Sequence, residues 1–417
     1  MKLKKIGIIG LGYVGLPLAL NFGKVKNFIV YGFDNDQSKL KNILKGKSYL
    51  SHIHSREILE FTKKNKVISD YSMIKDLDFI ILCLPTPLKK NNKPDLSYIK
   101  NSINKIYPYL REGQTISLES STYPGTTEEI LISKLKKKFI IGKNFHIIYS
   151  PEREDPGNKL KMYLIPKIIS GFSEDCRKKA FNYYSKVFKK VIVVKDIKVA
   201  EFSKILENVY RSINIGLVNE IKIISDKMGL DIFDIIKAAS SKPFGFMPFY
   251  PGPGVGGHCI PLDPFYLTWK AKKFGLKTRF IELSHEINSD MKKWIINKLQ
   301  INLKSLKNKK IIVIGVSYKK NIDDCRESPS FEIISELIKK KANVKYHDPY
   351  VKRIPTTRKF NLKLNSIKLT KKNLSEADGV CILTDHDNIN YEFIKKYSKK
   401  LFDSRGIFKI KDNIIRI

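Results

Sequence analysis

The chain has 417 residues, 42% hydrophobic and 29% charged, which allows two or three domains with full cores and excludes a disordered chain. Its net charge of +37 would suit a polyanion, but 67 of the 78 basic residues are Lys, spread along the chain beside Asn and Ile without a nucleic-acid motif, so compositional drift is the better reading, with no nucleic-acid partner and an electrostatic preference for an anionic substrate. The five cysteines are far apart and form no CxxC pair, excluding a disulfide framework or zinc ribbon, and no metal site is expected; no secretory leader or membrane-length apolar run is present, so a cytoplasmic protein with no membrane partner is expected.

Residues 3–9 read as a buried strand, followed by Gly10-Leu11-Gly12-Tyr13-Val14-Gly15 and the first turns of a helix from Leu16. A second strand, 28–33, ends at Asp34. Strand, G-x-G-x-x-G, helix, strand and acid together form a dinucleotide fingerprint. Gly10 permits the tight turn, Gly12 lets the backbone approach a pyrophosphate at the helix N-terminus, and Gly15 allows close packing. Asp34 can accept from both ribose hydroxyls and repels a 2′-phosphate, so the expected cofactor is NAD rather than NADP.

Residues 78–84 form a strand running into Pro85-Thr86-Pro87, a rigid loop at the carboxyl edge of the sheet, where ligands bind in open α/β folds. Helical periodicity covers 96–110. Strand 114–118 precedes Glu119-Ser120-Ser121-Thr122-Tyr123-Pro124-Gly125-Thr126-Thr127, whose hydroxyls suit phosphate or nicotinamide contacts or cap a helix starting near Thr127. Strand 145–149 leads into an acidic loop, Ser150 to Gly157, with Glu152, Glu154 and Asp155. Ala200 to Met228 reads as one long helix, a spine between two α/β units, with Lys204, Asn208 and Arg211 on one face.

Lys242 to Lys270 holds six prolines and five glycines between Pro243 and Pro264, and is expected to be irregular rather than helical. It presents Gly256, Gly257, His258 and Cys259, with Asp263 four residues on. A backbone-tight loop offering one thiol suits a nucleophilic cysteine. A helix follows at about 282–304. Strand 309–316, helix 330–341, a strand ending at His347-Asp348-Pro349, and strands 379–384 and 401–403 form a second unit without a full glycine fingerprint. The expected fold is α/β, two Rossmann-like lobes joined by a long central helix and a helical middle domain. The boundaries are 1–197, 198–304 and 305–417.

GLGYVGLP, LPTP, ESSTYPGTTEE, SPERE-PG, EFSKILENVYRSINIGLVNE, GPGVGGHCIPLDP and GVSYKKNIDDCRES together resemble the nucleotide-sugar 6-dehydrogenase family, in order and over nearly the whole chain. KPFGFMPFYPGPGVGGHCIPLDPFYLTWKAK resembles most the UDP-N-acetylglucosamine or UDP-N-acetylgalactosamine 6-dehydrogenases of bacterial surface-polysaccharide pathways. Glucose enzymes of the family often carry Phe-Gln-Lys where this chain has Ile260, Pro261 and Leu262, whereas UDP-N-acetylmannosamine enzymes share GGHCI.

The resemblance implies two successive oxidations of the sugar C6 hydroxyl with NAD, through a thiohemiacetal and a thioester on Cys259, then hydrolysis to the uronic acid. It implies that Lys204 stabilises thiolate or alkoxide charge and that Asn208 binds the same oxygen or a water. Asp263 or Glu152 serves as the hydrolytic base, and Thr122 holds a water. Cofactor contacts fall to Gly10, Gly12, Tyr13, Val14, Gly15, Asp34, Thr86, Thr122 and Arg326. Substrate contacts fall to Lys204, Asn208, Arg211, Phe249, Tyr250, Gly256 and Lys319, with core packing as the other reading of Phe244, Phe246, Phe249 and Tyr250. Pro156 stands where glucose enzymes commonly carry a second acid. The resemblance and the long apolar helix suggest a homodimer or higher homo-oligomer. The same chemistry on UDP-N-acetylmannosamine or UDP-glucose remains an alternative, and a non-catalytic basic binding protein is a third reading.

Overall fold

A computed structural model describes residues 3–50, 52–154, 160–257, 259–357, 359–411 and 413–417. The chain divides into two compact units. The first runs through Glu207 and takes back Phe265–Leu276; the second comprises Asn208–Pro264 and Lys277–Ile417.

The first unit is built on eight strands: β1 (Lys4–Ile9), β2 (Phe28–Phe33), β3 (Lys66–Ile68), β4 (Phe79–Leu82), β5 (Thr115–Leu118), β6 (His146–Tyr149), β7 (Lys167–Gly171) and β8 (Val191–Val193). Their order is β3-β2-β1-β4-β5-β6-β7-β8. All neighbours are parallel except β6 and β7, which pair antiparallel with Ile148 opposite Gly171. The apolar runs predicted as strands are buried on both faces, as a parallel sheet between helices requires. One core gathers Ile6, Ile8, Leu18, Phe22, Phe28, Phe79 and Tyr184. The sheet order reverses at β1, with β2 on one side and β4 on the other. That places the loops after β1 and β4 at the switch point, where such sheets bind ligands.

The second unit holds β9 (Lys310–Ile314), β10 (Asn343–His347), β11 (Gly379–Ile382), β12 (Leu401–Asp403) and β13 (Ile414–Arg416). Their order is β10-β9-β11-β12-β13, all parallel. Its first turn repeats the geometry of the first unit without the glycine fingerprint. Gly10 has φ +94°, and an added Cβ would meet the Cys83 carbonyl oxygen at 2.2 Å; Gly315 has φ +78°, and its Cβ would meet the Thr384 carbonyl oxygen at 2.3 Å. Asp34 accepts from the Leu11 amide at 2.8 Å, and Asp348 accepts from the Val316 amide at 2.7 Å. The chain is therefore α/β with two Rossmann-like lobes, linked by the helix Ile197–Lys227 and the helical segments after it.

The structure refines three sequence expectations. The proline-rich stretch is irregular only in its first half, because Cys259–Lys272 is a helix with Pro264 inside it. Pro261 sits in the first turn, where no intrahelical acceptor awaits its missing N–H, so only Pro264 costs a bond. The helix near Thr127 begins as a π-helical turn, Thr127–Ile132, before becoming α at Ser133. The expected row on the long helix splits: Lys204 and Asn208 are buried, but Arg211 is exposed. All three positions share one helix face, i+7 lying about 20° from i, so the difference is in what covers that face along its length.

Candidate active site

The glycine turn lies at the switch point of the first sheet. Nothing stands within 4 Å of where a Gly12 Cβ would be, whereas a Gly15 Cβ would meet the Gly10 carbonyl oxygen at 1.8 Å. Gly15 therefore closes the turn on itself, and Gly12 leaves an open backbone face. Beside it, Tyr13 stacks on His52 with ring centroids 5.9 Å apart. The Tyr49 hydroxyl donates to the Leu11 carbonyl. Val14 is half-buried just before the helix Gly15–Gly23. Asp34 is mostly buried, with its Oδ1 accepting from the Asp36 amide and Lys39 Nζ 3.2 Å from its Oδ2. An open backbone approach, a helix N-terminus and a fixed carboxylate fit a dinucleotide.

At the carboxyl ends of β4, β5 and β6 the loops are cross-tied. Thr86 Oγ1 donates to the Ser121 carbonyl, and Ser120 Oγ donates to the Leu84 carbonyl, each at 2.8 Å. Thr122 is buried, and its Oγ1 has no hydrogen-bond partner among the described residues. Glu152 is buried; its Oε1 accepts from the amides of Arg153 and Glu154 at 2.7 and 2.8 Å, and its Oε2 lies 2.8 Å from Lys167 Nζ. Burial opposes its ionisation, but the Lys167 charge and these donors outweigh it and hold the carboxyl below its ordinary range. The rest of the acidic loop, residues 155–159 including Pro156, lies outside the described residues.

Two buried groups here were not identified from the sequence. Lys167, on β7, also pairs with Glu119. Glu201 accepts from the Gly125 amide and from the Thr127 amide and hydroxyl, fixing the loop and the π-helical turn. Burial raises its carboxyl to about 7 against those hydrogen bonds. Lys204, one turn on, is buried in the same unit.

In the second unit, Cys259 opens its helix and is half-buried; His258 lies outside the described residues. Asp263 follows on that helix, fully buried, and its Oδ2 accepts from Asn208 Nδ2 at 2.6 Å. The loop before the cysteine is clamped. The Gly257 amide donates to the Arg326 carbonyl at 2.8 Å, and a Gly256 Cβ would meet Tyr318 Cβ at 2.6 Å. Upstream, the Gly252 amide donates to Asn219 Oδ1, and Asn219 Nδ2 donates to Asn288 Oδ1. Tyr250 is exposed and stacks on Phe233, while Phe249 packs edge-on against Tyr210. Phe244, Phe246 and Tyr250 are too exposed for core packing to account for them.

At the edge of the second sheet, Lys319 is half-buried, and its carbonyl accepts from Ser317 Oγ. Arg326 pairs with Asp324. His386 is fully buried against Asp348 at 3.1 Å. Arg405 was also missed. Its Nε donates to the Leu383 carbonyl, and a Cβ on Gly252 would meet its Nη1 at 2.7 Å, so the guanidinium fork lies against the loop that leads to Cys259.

Three domain models of one family match the chain: the NAD binding domain of the UDP-glucose/GDP-mannose dehydrogenase family at residues 4–192, its central domain at 198–290 and its UDP binding domain at 312–414. Among relatives, Protein CapL of Staphylococcus aureus is 35% identical, covering 98% of this chain and 96% of CapL. A UDP-N-acetyl-D-glucosamine 6-dehydrogenase of Salmonella typhi is 30% identical, covering 99% of this chain and 98% of the relative. The solved structure of a UDP-D-ManNAc dehydrogenase from Pyrococcus horikoshii matches with TM-score 0.86 and 30% identity, over 97% of this chain and 96% of that one. No helix among the described residues is long and apolar enough to cross a membrane.

Proposed function

Because the chain belongs to the UDP-glucose/GDP-mannose dehydrogenase family and is an NAD-binding nucleotide-sugar dehydrogenase, we propose that it oxidises C6 of UDP-N-acetylglucosamine or UDP-N-acetylgalactosamine to the uronic acid, in two NAD-dependent steps through Cys259. The carrying observation is the group Cys259, Asp263 and Asn208, in which a buried carboxylate on the cysteine's own helix is held by an amide. NAD supplies the hydride acceptor, with Gly10 to Gly15 and Asp34 holding it and Tyr13, Val14, Thr86, Thr122 and Arg326 as further contacts.

Cys259 Sγ attacks the C6 aldehyde, and the resulting thiohemiacetal keeps an oxidisable C–H while tethering the intermediate. The first turn of a helix favours the anionic sulfur. Lys204 Nζ offsets the negative charge developing on the C6 oxygen, and Asn208 donates to that oxygen or to a water. Asp263 orients Asn208. Glu152, ionised at neutral pH, takes a proton from the water that hydrolyses the thioester, and the unpartnered Thr122 Oγ1 holds that water. Arg405 and Lys319 bind the diphosphate, with Arg211, Phe249, Tyr250 and Gly256 along the nucleotide sugar.

A three-part organisation, 1–197, 198–304 and 305–417, is supported by the three domain matches. A homodimer through the long helix is supported by Leu217, Ile221, Ile224 and Met228, an exposed apolar row at helical spacing. Cytoplasmic residence is part of the same proposal. Relatives named for N-acetylmannosamine favour that epimer as the second reading. The test is NADH formation from UDP-glucose and from the UDP-activated N-acetyl-glucosamine, -galactosamine and -mannosamine. Turnover of the gluco or galacto sugar supports the proposal, and exclusive turnover of UDP-N-acetylmannosamine or UDP-glucose overturns its substrate.

A further inference from the structure

Lys167 serves two carboxylates. Its Nζ lies 2.5 Å from Glu119 Oε2 and 2.8 Å from Glu152 Oε2, and all three side chains are buried. Glu119 Oε1 is met by the Tyr184 hydroxyl, which lies 2.9 Å from Ser117 Oγ. The result is one unbroken row: Ser117, Tyr184, Glu119, Lys167, Glu152. The rings of Phe188 and Tyr184 flank the ammonium at 5.2 and 5.7 Å. One cation cannot neutralise two buried anions, so a structural ion pair would need only one of these acids.

We propose that Glu119 is a positioning residue for Glu152: by sharing Lys167 it keeps Glu152 basic enough to accept a proton from an attacking water. This rests on the reading of Glu152 as the hydrolytic base. In that step a water O–H bond breaks and its proton goes to Glu152. The oxygen bonds to the acyl carbon, the carbon–sulfur bond breaks, and Cys259 leaves as thiolate. With Glu119 ionised, the buried cluster begins with one net negative charge and becomes neutral when Glu152 is protonated. With Glu119 absent, the same protonation would leave a buried, unbalanced ammonium.

The titration pattern agrees. Burial, partly offset by Lys167, raises Glu119 above its ordinary value, whereas Lys167 and the two backbone amides hold Glu152 below its own. Lys167 itself is raised by the two acids despite burial, so it stays charged. Among the described residues, Tyr184 and the Cys83 thiol after β4 also feel these charges; burial raises both well above their ordinary values, so both stay neutral. The two acids therefore titrate as a coupled pair on one cation.

The test combines two readouts on Glu119→Gln, Tyr184→Phe, Glu152→Gln and the unaltered protein. The first is carboxyl carbon-13 NMR of glutamate-labelled free protein across pH 4–9. Glu119→Gln should move the Glu152 titration to lower pH. Tyr184→Phe, which removes a donor to Glu119 and keeps the ring, should move it the same way by less, and it answers the question if the first variant does not fold. The second is the pH dependence of uronic acid formation from UDP-N-acetylglucosamine. Glu119→Gln should lower the plateau kcat by about tenfold, shift the acid limb down and leave KM within about twofold. Loss of rate with an unmoved Glu152 titration would make Glu119 merely structural and overturn the proposal. Undiminished acid formation by Glu152→Gln would overturn Glu152's role instead, and the pair's use in the reaction with it, whatever the NMR shows.

Discussion

Replacing Lys222 by Met should stabilise the protein. Lys222 lies on the inner side of the long helix, 1% exposed, and its Nζ has no hydrogen-bond partner among the described residues. Among the described residues, the Trp294 ring, with its centroid 4.8 Å from Nζ, receives the charge. Asp226, which could help, is paired with Lys298, and Asp403 with Arg416. Burial, with added repulsion from Arg416 and Arg405, lowers the Lys222 pKa from 10.5 to about 7. That fall corresponds to a folding cost of about 5 kcal/mol. The sign is set by proton binding. Between pH 7 and 10.5 the unfolded chain holds a proton on Lys222 that the folded chain lacks, so stability rises with pH across that window. The full cost is present below pH 7.

Met keeps the length and the contact with Trp294 without the charge. Urea unfolding of both proteins from pH 6 to 10.5 should show the variant more stable by about 3–5 kcal/mol at pH 6, with the gap closing as pH rises. A variant that is less stable at pH 6, or a gap that does not change with pH, would refute the account of Lys222 as a buried, unpaired amine.

Gly12→Ala should fold normally, because the added methyl meets nothing within 4 Å, yet raise the NAD Kd at least tenfold by calorimetry; unchanged NAD affinity would place the cofactor elsewhere. Arg405→Ala should raise KM for the nucleotide sugar more than tenfold while NAD binding holds, since an ionic pair with phosphate is lost. Glu201→Gln should cost about 1–3 kcal/mol at pH 5, because both Glu201 oxygens accept hydrogen bonds and an amide offers one acceptor. Glu201 titrates near 7 in the fold against an ordinary 4.5, so its contribution is full below pH 4.5 and fades as pH rises through 7. Melting temperatures from pH 4.5 to 8 should therefore show the gap to the variant narrowing.

The parts most legible in the sequence were those with local rules. Gly10, Gly12 and Gly15 carry their conformational reasons in their spacing, and the buried strands β2 and β4 appear as apolar runs. The helix at Cys259 was misread because proline content was taken as a veto, although the first turn of a helix tolerates proline. Spacing puts Arg211 on the face of Lys204 and Asn208, but its exposure depends on what covers that face two turns along the helix, which spacing does not give. Lys167, Glu201 and Arg405 gave no local signal. Lys167 meets Glu119 across 48 positions and Glu201 meets Thr127 across 74, so their partners exist only once the sheet has formed. Among 78 basic residues, nothing in the sequence marks the few that fold inward.

The central claim is that one thiol carries an alcohol through two oxidations to an acid. The direct measurement is the number of NADH molecules formed per UDP-N-acetylhexosamine consumed, taken to completion with limiting sugar. Two NADH per sugar, with the uronic acid as product and Cys259→Ser unable to form acid while still binding NAD, is the predicted result. One NADH per sugar with accumulating aldehyde, or undiminished acid formation by Cys259→Ser, would contradict it.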